Sequence, residues 1–582
     1  MFSGKRLKID KTIQTITLVT GVLAFISIFA QLGFYLPSTT QLILDNYVDQ
    51  IIASLFVVLV TFKFFFIRSK AEYIKENPVE FTLGTLFVLI VILYQIFNYS
   101  SAHYIISFKL TNNLIKAYFI FTQVYILFNT LLTLIRSREK GFFFTLNPAR
   151  VFAFSFLFVI IAGTCFLKLP KATLIPISWI DALFISTSSV CVTGLATVNI
   201  ADTFTIQGQS LIILLIQIGG LGMITLTAFI TLFIQKGFRL RDQFVVGEIL
   251  DDAHISSLTS MLKNIIKITF FFEFSGIILL YFLWNNPGLS DFDRIFTAVF
   301  HGVSAYCNAG LSNLPQGLQT PGYSTFAPAL IVIMILIVAG GFGFYTISDI
   351  INPRKKNFPR GQRLKLQTRI VILSYIVLIF VGALLIWVLQ REQWSELPLG
   401  KQIMNSLFTS VASRTAGFSV VEIGTMLIPP LMIVIFLMYI GGAPNSTAGG
   451  IKVTTAVTLF VSLWGFIKGK ERIELARRTI PMILIRRAFI VLISSIILIF
   501  TALFLLSLTE KQAYFDLFFE TVSAFGTVGL SRGITPFLSG WGKLIIIFVM
   551  YFGRIGMFTL ALIVSEKITS HNYRFPDTTL MI

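Results

Sequence analysis

Four short segments of this chain carry the same succession of residue types: WIDALFISTSSVCVTGLATV at 179–198, DRIFTAVFHGVSAYCNAGLS at 293–312, NSLFTSVASRTAGFSVVE at 405–422 and DLFFETVSAFGTVGLSRG at 516–533. Each is an amphipathic stretch running into a turn that closes on glycine, at Gly194, Gly310, Gly417 and Gly529, spaced by 116, 107 and 112 residues. The turn residues supply no set of acid, base and nucleophile. Val190, Cys191, Val192, Thr193 and Gly194 in the first turn, and Tyr306, Cys307, Asn308, Ala309 and Gly310 in the second, offer backbone carbonyls instead. So do Ser413, Arg414, Thr415, Ala416 and Gly417 in the third, and Phe525, Gly526, Thr527, Val528 and Gly529 in the fourth. Converging carbonyls can replace the water shell of a cation, and a turn whose successive carbonyls face one way needs dihedrals that side chains penalise. The expected chemistry is selective passage of a desolvated cation. Cys191 and Cys307 are too isolated for metal or redox chemistry, and Tyr306 and Phe525 are expected to stiffen the turns from behind.

Such turns need elements that hold them at membrane depth, where non-helical backbone is tolerated only in a wet or protein-enclosed cavity. Long apolar stretches flank each turn in pairs, near 151–168 and 208–235, 264–283 and 327–348, 370–390 and 427–465, and 485–509 and 543–565. A second glycine feature follows each turn by 25, 30, 24 and 24 residues, at Gly219, Gly340, Gly441 and Gly553. Each unit therefore reads as helix, short re-entrant helix, turn, and helix with a small-residue waist. Four units around one axis bring the turns together and aim the negative ends of the short helices at the centre. The units are expected at 148–245, 246–360, 361–476 and 477–582, after an extension at 1–147 with spans near 13–36, 48–67, 81–102 and 117–135.

The third unit is expected to carry a gate. Its second span is too long for one simple helix and contains Gly441, Gly442, Ala443, Pro444, Asn445, Ser446, Thr447, Ala448, Gly449 and Gly450. Such a segment is either a kinked helix with its freed backbone groups satisfied locally or a mobile loop beneath the turns, and only this unit has the insertion. Arg554 is read as a cationic barrier below the turns, or else as half of an internal salt bridge with Glu520. Arg414 is expected to anchor the third turn with its guanidinium while its carbonyl lines the path. Lys452, which closes the loop, serves gating or an interhelical bond, and Glu273 and Glu520 are expected to act as hydrogen-bond acceptors.

Composition agrees with a membrane setting. Lys and Arg number 46 against 27 Asp and Glu, a net charge of +19, yet charged residues are 13% and hydrophobic ones 55% of the 582 residues. That excludes an ordinary soluble enzyme, because runs of about 20 apolar residues are what a helix needs to cross a bilayer. The basic excess sits in short loops such as 353–369 and 468–478 rather than in a nucleic-acid-binding face, and its alternation places both termini in the cytoplasm. About twelve spans are expected. Three cysteines and four histidines form no disulfide framework or metal-ligand spacing, and no nucleotide-binding GxxxxGK[ST] motif or cleavable signal peptide is present.

The VTG at 192–194, NAG at 308–310, TAG at 415–417 and TVG at 527–529 resemble the filter tripeptides of the Trk/Ktr/HKT potassium transporter superfamily, over about 150–565. The resemblance implies an all-α polytopic membrane fold of four tandem membrane–pore–membrane repeats, built like a potassium channel within one chain and preceded by extra transmembrane helices. It further implies K+ as the transported ion with no bound cofactor, a homodimer, a bacterial inner membrane, and a separate cytoplasmic ring of nucleotide-binding regulatory subunits. Gly194, where the family has Ser in sodium-permeable members, favours potassium. The family's intramembrane loop corresponds to 441–450. Four spans in the extension depart from the family pattern and read as a packing, dimerisation or regulatory element. Two other classes remain: a secondary symporter coupled to sodium or protons, which would show inverted repeats with central carboxylates, and a noncatalytic membrane scaffold, which would need no such turns.

Overall fold

The structure is a computed structural model that describes residues 2–66, 82, 85, 122, 123, 125, 126, 148–234, 258–284, 290–324, 326–351, 364–557 and 559. The expected third and fourth spans of the extension, most of the 353–369 basic loop and the C-terminal tail lie outside these residues, wholly or in large part.

Helices account for nearly all the regular structure. In the extension, α1 (Phe2–Gly33), α2 (Ser38–Ile43) and α3 (Asp49–Phe66) are described, with a π-helical turn at Leu44–Val48. The first unit has α4 (Pro148–Leu167), the short α5 (Trp179–Val190) and α6 (Ile206–Ile234), and the second has α7 (Leu258–Leu283), the short α8 (Asp291–Tyr306), α9 (Ala327–Phe342) and α10 (Phe344–Ile351). The third runs α11 (Leu366–Gln390), the short α12 (Leu399–Ala412), α13 (Ile428–Tyr439) and α14 (Val453–Ile467); the fourth runs α15 (Met482–Thr509), the short α16 (Tyr514–Gly526) and α17 (Gly540–Ile555).

The short helices start where the sequence supplies caps. Ser178 and Ser290 accept from the amides of Asp181 and Asp293, the Ser-x-x-Asp arrangement that satisfies otherwise unpaired N–H groups. The acidic residues of these first turns also suit the positive end of the helix dipole. The long helices present large apolar side chains outward: Phe271, Phe274, Phe282, Phe380, Phe500 and Phe504 are all more than half exposed. In water such a belt would be an aggregation-prone patch, whereas hydrocarbon is the solvent that suits it.

The structure bears on three expectations. Among the described residues, three helices are long and apolar enough to cross a membrane, Asn264–Leu283, Leu366–Gln390 and Met482–Thr509, or four spans with the bent pair α9–α10. The remaining expected spans are shorter apolar helices or fall outside the described residues. Interruption of the second helix is also not confined to the third unit. In the second unit the chain bends by 99° between α9 and α10 at Gly343, and in the fourth α17 stops at Gly556, both glycines having positive φ (76° and 87°). The reason at Gly343 is steric: a Cβ there would lie 2.5 Å from the Pro444 carbonyl oxygen, so α10 turns aside where the inserted segment of the third unit comes in. Finally, the described residues are all-α as expected, with one two-residue antiparallel ladder in which Glu474 pairs with Thr479 and Leu475 with Arg478, turned by Ala476 and Arg477 in the left-handed region.

Candidate functional site

Each short helix ends in a turn with an alternating backbone. Val192, Asn308, Thr415 and Thr527 have φ of 55°, 60°, 71° and 49°, and two residues later Gly194, Gly310, Gly417 and Gly529 have φ of 95°, 67°, 71° and 96°. The intervening Thr193, Ala309, Ala416 and Val528 do not share this handedness. Alternation of this kind turns successive carbonyls to the same side. Left-handed backbone at the β-branched Val192, Thr415 and Thr527 costs about 1–3 kcal/mol each, and strain of this size persists where the surroundings over-determine the conformation.

The amides point the other way, back into the helix ends. Thr193 N–H donates to Ser188 O (2.8 Å), Ala309 N–H to Ser304 O (2.7 Å), Gly417 N–H to Ala412 O (3.3 Å) and Val528 N–H to Ser523 O (2.9 Å). In the first and fourth units the Ser188 and Ser523 hydroxyls accept from Gly194 and Gly529 N–H at 3.0 and 3.1 Å. In the second, Ser304 Oγ instead donates to Leu311 O at 2.8 Å, and in the third Val411 stands at this place with no hydroxyl. The serine six residues before the terminal glycine recurs in three of the four segments, and it was a legible signal that the sequence reading passed over. His301 was passed over too: it is buried behind the second turn, with Nδ1 paired to Thr297 O and Nε2 to Ser312 Oγ at 2.9 and 2.8 Å.

The four glycines close on one another in order. A Cβ added to Gly194 would collide with the Ala309 carbonyl oxygen, one on Gly310 with that of Ala416, one on Gly417 with that of Val528, and one on Gly529 with that of Thr193. Each unit thus meets the next and the fourth meets the first, a closed ring of close backbone approaches that a side chain would force apart. At this ring the Thr193, Thr415 and Thr527 hydroxyl oxygens are buried and unpartnered. Oxygen atoms without partners, beside turned carbonyls and the C-terminal ends of four short helices, make a donor set suited to a monovalent cation.

The waist glycines explain how the ring is carried. A Cβ on Gly219, Gly340 or Gly553 would run into the carbonyl oxygen of Val190, Tyr306 or Phe525 respectively, so in the first, second and fourth units the second helix presses against the last turn of its own short helix. Val190, Tyr306, Phe525 and Gly526 accordingly lie within those helices, and the turns proper begin after them. Tyr306 stacks on Phe272 (5.8 Å between centroids), and Phe525 packs on Tyr439 (6.0 Å). In the third unit Gly441 meets Gly449 of the inserted segment instead.

That segment, 440–452, is non-helical apart from an isolated parallel bridge between Ile440 and Ile451. It lies against the turns: a Cβ on Gly449 would strike Thr527 Oγ1, and Thr447 Oγ1 donates to Tyr306 O at 3.4 Å. The second, third and fourth units hold it, and the first holds the arginine that does so. In the second, Gly341 O accepts from Ala443 N–H (3.0 Å) and Phe344 N–H donates to Asn445 O (3.1 Å). In the third, Arg414 Nη2 donates to Gly441 O at 3.0 Å while its guanidinium lies 3.6 Å from the Tyr375 ring centroid. Arg554 of the fourth donates to Thr447 O through Nη1 and to Gly219 O of the first through Nη2. Lys452 Nζ donates to Ala448 O at 2.6 Å, within the segment itself. Asn445 and Gly450 adopt left-handed backbone, and the Ser446 hydroxyl closes on Ala443 O at 2.6 Å.

The expected alternative of an Arg554–Glu520 salt bridge is not what forms. The Glu520 carboxylate accepts from the Thr535 hydroxyl, while Arg554 is buried among carbonyl oxygens. Glu273 accepts from Gln217 Nε2 at 3.2 Å and lies 3.7 Å from Cys307 Sγ. Arg414 and Arg554 thus keep their charges on carbonyl dipoles, in charge-assisted hydrogen bonds stronger than neutral ones.

Residues 109–574 match the family TrkH, cation transport protein. The chain is 35% identical over 435 residues to Ktr system potassium uptake protein B of Bacillus subtilis (strain 168), covering 74% of this chain and 96% of that protein. It is 34% identical over 448 residues to potassium/sodium uptake protein NtpJ of Enterococcus hirae, covering 75% of this chain and 97% of that one. Among solved structures, the potassium transporter TrkH from Vibrio parahaemolyticus superposes with a TM-score of 0.60 at 17% identity, over 77% of this chain and 91% of that chain, which is a likeness of fold. The family match begins at 109, so the expected fourth span falls inside the family's frame and the first three lie ahead of it.

Proposed function

This chain belongs to the Trk/Ktr family of cation transport proteins, multi-pass membrane proteins that are not enzymes, and from that premise we propose that it conducts potassium into a bacterial cell through a pore formed by four re-entrant turns. The four units surround one axis. The carbonyls of 192–194, 308–310, 415–417 and 527–529, with the Thr193, Thr415 and Thr527 hydroxyls, form the selectivity filter. The observation that carries the reading is the closed succession of glycine-to-carbonyl approaches from each unit to the next.

Entry is driven by the membrane potential, worth about 2.3 kcal/mol per charge per 100 mV. The 440–452 segment is the gate, held across the path by Arg414 and Arg554, whose positive charges add a barrier below the filter. A cytoplasmic nucleotide-binding regulatory partner, docked on the basic inner loops, would shift the segment, and two copies of the chain would form the dimer. The test is cation flux through the purified chain in liposomes under potassium, rubidium and sodium gradients. Potassium and rubidium should far exceed sodium, Gly194→Ser should erode that preference, and deletion of 443–448 should raise flux while preserving it. A deletion variant that folds and passes nothing, or passes all three cations equally, would overturn the proposal.

A further inference from the structure

The bend at Gly343 borders a cavity that the transport reading does not use. It measures about 890 Å³ and lies between the second and third units, walled by α7, α9, α10, α11 and the short α12. Phe342 and Ile347, on the two sides of the bend, both line it, so the space opens where the 99° turn carries α10 away from the axis of α9. Its inner end is made by Leu407 and Val411 of α12 and by Phe272, the residue that stacks on Tyr306. Its mouth is made by Phe271, Ile335 and Phe380, all more than half exposed and part of the apolar belt of the long helices.

Two observations say what fills it. The first is the wall, in which every lining side chain is apolar except Lys267. An empty space of this size deprives its lining of dispersion contacts, and water finds no polar partners there. At membrane depth the molecules at the mouth are hydrocarbon chains. The second is the placement of Lys267. It is exposed, three residues inside the end of the span Asn264–Leu283, and among the described residues no carboxylate pairs with its ammonium.

The first helix of a unit enters from the side to which its second helix returns, and the basic 353–369 loop follows α10. The positive-inside bias places that side in the cytoplasm. A lysine one turn inside the span lays its stem along apolar wall while its ammonium reaches the headgroups. A second copy of the chain seated on the mouth would bury this ammonium, which is costly in hydrocarbon, whereas a lipid phosphate pairs with it. We propose that the cavity holds an acyl chain of an anionic phospholipid of the inner leaflet, with the lipid phosphate on Lys267. The chain would lie one ring away from the hold on the inserted segment: Phe342 packs 4.8 Å from Tyr375, which carries the Arg414 guanidinium on its face and donates to Gly341 O at 2.6 Å.

The experiment counts lipids on the purified full chain by native mass spectrometry, in detergent supplied with phosphatidylglycerol and phosphatidylcholine of identical acyl chains. Wild type should retain a tightly held phosphatidylglycerol in preference to phosphatidylcholine. Lys267→Gln should reduce that preference about fivefold while leaving room for a chain of either lipid. Ile335→Trp, which sets an indole across the mouth, should remove the tightly held lipid of both kinds. Both positions are exposed, so both variants should fold. Lipids held elsewhere contribute equally to all three proteins, so only the difference is scored. The count needs no ion flow, and it can fail while the transport reading stands. Identical retention by wild type and both variants would overturn the site, and a preference that survives Lys267→Gln would overturn the headgroup assignment. A wild type without tightly held lipid, whose dimer is lost in Ile335→Trp, would show that a second copy covers the cavity and would overturn the proposal.

Discussion

At the scale of single residues, backbone conformation and two buried arginines dominate. Where the next unit's carbonyl oxygen occupies the place of a Cβ, as at Gly194 and Gly310, any side chain would push that carbonyl aside. That constraint was legible from the recurrence of the glycines, whereas the left-handed strain at Val192, Thr415 and Thr527 was not, because β-branched residues argue against it locally. Arg554 was legible as an expensive intramembrane charge, yet its partners, Thr447 O and Gly219 O, are separated from it by 107 and 335 residues. Hydrogen bonds to a charged group contribute about 1.5–3 kcal/mol each. Arg554→Gln should therefore raise rubidium flux per folded molecule about tenfold by freeing the inserted segment. Unchanged flux with intact folding would mean that the arginine holds structure and not the closed state.

At the scale of elements, the waist of the second helix in the first, second and fourth units exists because that helix rests on its own short helix. Gly340 sits where a side chain would enter the Tyr306 carbonyl. Gly340→Val should cost about 1–3 kcal/mol through overpacking and lower the thermal midpoint by several degrees. Gly400→Ala, in the open first turn of α12, is the matched control and should be neutral or slightly stabilising. Equal midpoints for the two variants would remove the steric account of the waist. The waists were visible in the sequence as offsets of 24–30 residues from the turn glycines, and so was the interruption at 441–450. The 99° bend at Gly343 was not, since its cause is the Pro444 carbonyl of another unit.

At the scale of the whole molecule, each unit is tied to the next on the far side of the turns from the inserted segment. Asn199 Nδ2 donates to Pro315 O (2.8 Å), Gln319 Nε2 to Val421 O (2.9 Å) and Arg532 Nη2 to Gly424 O (3.1 Å), and Lys543 Nζ closes the ring on Asp181 at 2.7 Å. Burial opposes ionisation of the Asp181 carboxyl, but Lys543, Ser178 and Thr197 outweigh it and hold its pKa below the ordinary 3.8. A depressed pKa stabilises the fold above the unfolded value and is lost as pH falls through the folded one. Wild type should therefore exceed Asp181→Asn in thermal midpoint by about 1–2 °C at neutral pH. The gap should close below about pH 4, as the carboxylate is protonated. A gap that persists in acid would show that packing, and not the ion pair, is responsible.

What the sequence alone determined is local and periodic: apolar length that demands a membrane, four amphipathic segments ending on glycine, and small residues at a similar distance beyond. These follow from helix geometry and from the cost of bare backbone in hydrocarbon, which act within a single unit. Only the tertiary structure decided the order in which the units meet, the partners of Arg414 and Arg554, and the bend at Gly343. Each of these rests on a contact between residues far apart in the chain, where complementary shape and unpaired polar atoms select the partner and no local pattern records the choice.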